Sequence, residues 1–153
     1  MIKVTERNLK VDYYEKEGDK NIWFANSHLS DEEHDINLLV EIDMLEMKII
    51  SSRIKFRKAP LNNCELIENN ASKLNGLIIN PEFVRNAMKI FMGPLGCPNI
   101  MTLLQISIPG IIYYYYPHKF KTGEFAYEQW DKMIRTELKD ACLAHSMLQE
   151  PEI

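Results

Sequence analysis

Three cysteines, Cys64, Cys97 and Cys142, are the residues of this 153-residue chain whose type and position best suit chemistry. Cys97 stands in the loop Gly93-Pro94-Leu95-Gly96-Cys97-Pro98-Asn99, directly before a segment whose apolar spacing predicts a helix. Main-chain N–H groups at a helix N-terminus favour thiolate over thiol, so the position suits a nucleophile, a redox thiol or a metal ligand. Cys64 follows Pro60-Leu61-Asn62-Asn63 at a second expected helix start, where either asparagine could cap. The competing explanation for both is burial, because free cysteine is among the most buried residue types and Cys64 shares a stripe with Ile67, Ala71 and Leu74.

Cys142 and His145 form a C-x-x-H pair on the expected last helix, a spacing that turns both side chains to one face. Thiolate and imidazole are ligands for zinc or iron, although a zinc site needs three or four of them; a core histidine beside a small residue is the plainer reading. His28, Asp31, Glu32, Glu33, His34 and Asp35 crowd one polar break. They suit a divalent cation, an acid/base pair or simply a solvated turn.

The elements that must position these groups follow from periodicity. Leu9, Val11 and Tyr13 alternate with polar neighbours, Glu17-Gly18-Asp19-Lys20 marks a turn, and Ile22-Trp23-Phe24-Ala25 opens a second strand. Ile36, Leu38, Val40 and Ile42 keep strict alternation, and Ile50, Ile54 and Phe56 continue it in a fourth strand. Short connections favour an antiparallel meander with one dry face. From Leu61 the spacing changes to three and four, predicting a helix over 62–75, another opened by Asn80-Pro81 and running to Gly93-Pro94, and a third from Ile100 that Pro109-Gly110 kinks or ends. Pro117 to Gly123 reads as a connection, and Tyr127, Trp130, Ile134, Leu138, Ala141, His145 and Leu148 mark one final amphipathic helix from Glu124. The expectation is a single α+β domain over 1–153, with about four strands within 8–57 and three to four helices within 62–148 packed on one face.

Composition narrows the function. A net charge of −4 leaves no positive field for a phosphate backbone, so no nucleic-acid partner is expected. The N-terminus lacks a secretory signal and the cysteine number is odd, which points to reduced thiols in the cytoplasm. Residues 100–116 are too interrupted for a membrane span. No dinucleotide, phosphate-loop, zinc-protease or serine-hydrolase motif occurs, and no nucleotide cofactor is expected. Tyr113-Tyr114-Tyr115-Tyr116 cannot form one stacking platform on a helix, but the aromatic segment 111–120 could meet a protein partner or a second copy.

The order of these features resembles a bacterial family, domain of unknown function 2889. The β-rich start, the polar break with Asp31 and His34, Pro60-Leu61-Asn62-Asn63-Cys64, Leu74-Asn75-Gly76-Leu77 and the Gly96-Cys97 loop carry the resemblance over most of residues 8–145. It implies that Cys64, Cys97 and Cys142 match the family's cysteine positions. The family typically has a histidine two residues after the loop cysteine, where this chain has Asn99, and His145 is then a candidate replacement. The strand-first layout is also loosely similar to iron–sulfur scaffold proteins. Jointly, these features imply a metal site, zinc or an iron–sulfur cluster, built from Cys64, Cys97 and Cys142 with His145 or His34 as fourth ligand. An enzyme using Cys97 as nucleophile or redox thiol, and an interaction module with structural cysteines, are the alternatives.

Overall fold

The structure is a computed structural model that describes residues 1–148. The chain divides into two compact units, the first over Met1–Ile111 and the second from Ile112 onward. Helix and strand segregate along the chain, giving the α+β class expected.

In the first unit, β1 (Arg7–Lys16), β2 (Asp19–Asp31), β3 (Asp35–Asp43) and β4 (Lys48–Lys58) form one antiparallel sheet in the order β1-β2-β3-β4. Gly18, at φ 81°, supplies the left-handed position of the tight turn between β1 and β2. Period-two patterning sets the dry face: Trp23, Ala25 and Leu29 of β2 lie beside Ile36, Leu38, Val40 and Ile42 of β3, all buried. Ser27 is the one buried polar side chain in that layer, and its hydroxyl donates to the Leu38 carbonyl at 3.3 Å.

The fourth strand departs from the expected phase. The register shifts between Glu41 and Ile42, so that Ile42 faces Ile49 while Glu41 faces Ser51. Ile50 is the extra residue of this bulge and points to solvent; Ile49 takes its place in the core. Beyond the bulge Ile54 and Phe56 are buried as the alternation requires. We expect Ile54→Val, which removes one methylene from a filled site, to cost about 1 kcal/mol in urea unfolding.

The dry face is covered by a 3₁₀ helix (Asn62–Leu74) and α2 (Pro98–Ser107), and α1 (Phe83–Phe91) packs against both of these. The first of these was expected as an α-helix. Its anchors to β4 are the Ser52 hydroxyl on the Ala71 carbonyl at 2.6 Å and the Glu68 carboxylate, which accepts the Phe56 N–H at 2.8 Å. Helix α1 begins at Phe83, later than the Asn80-Pro81 start predicted, because Asn80 spends its side-chain oxygen on the Glu82 N–H in a turn ahead of the helix. Helix α2 stops before Pro109-Gly110, as expected.

The second unit holds α3 (Ile112–Lys121), α4 (Tyr127–Thr136) and α5 (Leu143–Ser146). Pro117, read as the start of a connection, lies inside α3. The turn after it is anchored: the Lys119 amine pairs with Glu124 at 2.8 Å and lies over the Tyr115 ring, and the Thr122 N–H reaches the His118 carbonyl. These contacts offset the one main-chain bond a proline removes. The final helix is likewise two pieces rather than one, broken after Glu137, where the Leu138 N–H reaches back five residues to the Met133 carbonyl. Among the described residues no helix is long and apolar enough to cross a membrane.

Candidate functional site

Cys97 is the N-cap residue of α2, with extended backbone at φ −144° and ψ 116°. Its carbonyl accepts the Ile100 and Met101 N–H groups at 3.1 and 3.2 Å, and Pro98 occupies the first helical position, where a missing N–H costs nothing. The Cys97 side chain makes no capping bond. Its own N–H is fixed to the Phe91 carbonyl at 2.8 Å, which folds the 93–97 loop back on the end of α1. That return passes so close that a Cβ on residue 96 would overlap the Phe91 carbonyl, so only glycine fits before the cysteine.

Cys64 lies in the first turn of the 3₁₀ helix, its N–H on the Leu61 carbonyl at 3.1 Å. The helix type matters here. With three residues per turn, Leu61, Cys64, Ile67 and Asn70 fall in one line, whereas 3.6 residues per turn would spiral them apart. This line forms one wall of a cleft of about 590 Å³ whose other wall is the loop 94–99. Asn70 joins the two walls by donating to the Leu95 carbonyl at 3.2 Å.

Cys64, Cys97, His34 and Asn99 all line this cleft. His34 is held by Asp31, whose Oδ1 takes the imidazole Nδ1 and the His34 and Glu33 main-chain N–H groups at 2.8–2.9 Å. The same carboxylate accepts from Arg7 Nε at 2.8 Å, and Arg7 Nη1 donates to Asn99 Oδ1 at 3.0 Å. Burial works against the charge on Asp31, but the bonds from His34, Glu33 and Arg7 outweigh it and hold the carboxyl well below the usual carboxylate range. An imidazole fixed through Nδ1 by an ionised carboxylate keeps Nε2 for other partners.

The polar break thus splits into two arrangements. His28 pairs with Asp35 at 2.8 Å on the opposite side of the sheet from the covering helices, whereas His34, held by Asp31, lines the cleft. Arg7 and Asn70 were not singled out by sequence; a lone arginine opening a strand and an asparagine inside a helix carry no signal of their own. Cys142 and His145 belong to the second unit and are not among the residues lining the cleft. Cys142 is an exposed, extended residue capping α5, and His145 lies within that short helix. Among the described residues no three His, Cys, Asp or Glu side chains gather closely enough to hold a metal ion.

A four-stranded meander carrying a cleft with two thiols and a carboxylate-held imidazole defines the class: an α+β protein with a cysteine-bearing pocket on its sheet-and-helix unit. The chain belongs to the family described as protein of unknown function DUF2889, whose match spans residues 11–110. The match ends where the first unit ends and contains Asp31, His34, Cys64, Cys97 and Asn99, leaving Cys142 and His145 beyond it. No curated protein and no solved structure matches the chain significantly.

Proposed function

We propose that this protein carries out cysteine-dependent covalent chemistry in the 590 Å³ cleft, with Cys97 as nucleophile and His34 as base. The observation that supports it is the shared cleft: an uncapped thiol at a helix start and an imidazole fixed by Asp31 line the same cavity. In this reading Asp31 keeps the imidazole in one tautomer, His34 removes the thiol proton, and the sulfur attacks an electrophilic carbon. Cys64 on the facing wall is a second thiol within the same chamber.

The test is alkylation of the intact protein by iodoacetamide at neutral pH, followed by mass spectrometry of each cysteine. Cys97 is expected to react faster than Cys64 and Cys142, and His34→Ala to slow it on the order of a hundredfold, the lower end of what a positioned base contributes. Equal rates in the parent and the variant would sink the assignment. Metal analysis of protein purified without oxygen supplies the contrast. Stoichiometric zinc or iron that is lost on Cys97→Ser replaces the nucleophile with a thiolate metal centre drawing on Cys64, Cys97 and His34.

A further inference from the structure

The chemical character of the cleft walls points to the class of substrate. Its lining contains no Asp, Glu, Lys or Arg; the polar groups are three asparagines and His34. Two of those asparagines are already engaged, Asn70 on the Leu95 carbonyl and Asn99 on Arg7. The remaining walls are leucine, isoleucine and proline, with Gly96 and the two cysteines. Three leucines at this cleft, Leu61, Leu66 and Leu95, are 63–72% exposed, which leaves apolar surface in water beside the cleft's thiols and imidazole. None of the lining side chains offers a permanent counter-ion to a charged substrate group, whereas the apolar walls match an apolar one.

We propose that the cleft accepts the uncharged, apolar acyl chain of a thioester and that Cys97 takes the acyl group. This rests on the reading of Cys97 as nucleophile. His34 removes the Cys97 proton, the sulfur adds to the thioester carbonyl carbon, and the bond from that carbon to the carrier sulfur breaks. The carrier leaves as a free thiol carrying the proton that His34 held. One thioester is consumed and one formed, so no oxidant or reductant takes part. The Asn99 main-chain N–H lies in the first turn of α2 without an acceptor among the described residues, a donor suited to the carbonyl oxygen as it gains charge. The apolar chain lies against Leu66, Ile67 and Leu95.

Incubating the full chain with the N-acetylcysteamine thioesters of octanoate and of succinate, and following the intact mass, tests this. An octanoyl adduct mapped to Cys97 is expected to form at least about tenfold faster than the succinyl adduct, the range over which apolar pockets discriminate. Leu66→Glu, at an exposed position that tolerates the change, is expected to slow octanoyl transfer. Equal rates for the two acyl groups, an adduct on Cys64 instead, or no adduct would overturn the substrate assignment. If iodoacetamide labelling still depends on His34 in that case, the nucleophile stands and the acyl thioester alone is wrong; if that dependence is also absent, both fall.

Discussion

Gly96→Ala is expected to lower stability by more than about 3 kcal/mol in urea unfolding and to abolish the selective alkylation of Cys97. Neither effect comes from a lost side-chain contact. The chain returns from α1 to α2 by laying residue 96 against the Phe91 carbonyl, and an added Cβ would occupy the space of that carbonyl. The obstacle is backbone, and it belongs to the group that accepts the Cys97 N–H at 2.8 Å. Relief requires the loop to lift away, which breaks this bond and moves the cysteine off the helix start. A contrast at Gly93 separates this from general loop sensitivity. That residue has φ 83° and open space around it, so alanine there is strained but not blocked, and a smaller loss is expected.

Asp31→Ala is expected to match or exceed His34→Ala in slowing Cys97 alkylation, and also to lower the unfolding midpoint. One carboxylate orders four partners at once: the imidazole, two main-chain N–H groups of the β2–β3 turn, and the Arg7 guanidinium that continues to Asn99. Removing it frees His34 to rotate and leaves main-chain donors without acceptors. Acid acts on the same group. Because the folded carboxyl titrates below its value in the unfolded chain, its stabilisation is complete above roughly pH 4 and is lost progressively as pH falls toward the folded value. Urea midpoints measured between pH 3 and pH 6 are expected to fall on the acid side in the parent, and to fall less in Asp31→Ala. Parallel pH profiles for the two proteins would contradict this origin.

The sheet was legible because period-two patterning depends only on which face is buried, and Ile36, Leu38, Val40 and Ile42 obey it without exception. Where a bulge added one residue, the pattern could not show which of Ile49 and Ile50 faced inward, since both are apolar. The 3₁₀ helix was read as α because a stripe at 64, 67, 71 and 74 satisfies the spacing of an α-helix; the line 61, 64, 67 and 70 that builds the cleft wall appears only with three residues per turn. Pro117 and the break after Glu137 were missed because contacts outside the apolar stripe, such as Lys119 with Glu124 and the Leu138 N–H on the Met133 carbonyl, mark where a helix continues or stops. In the site, Cys97 and His34 could be named from their local surroundings. Their common cleft could not, since Arg7 and Asn99, which tie the β2–β3 turn to α2, are 92 positions apart.

Capping preference says something more about position 97. A helix start favours serine, threonine, aspartate or asparagine, whose oxygen closes a first-turn N–H and contributes roughly 1 kcal/mol. Cys97 occupies that position in the extended conformation such residues use, and its sulfur closes none. The fold therefore dictates the shape of the backbone there, and the thiol forgoes the stability that an ordinary cap would provide. Gly96 is required by geometry, whereas the capping geometry at the next position makes no use of the sulfur.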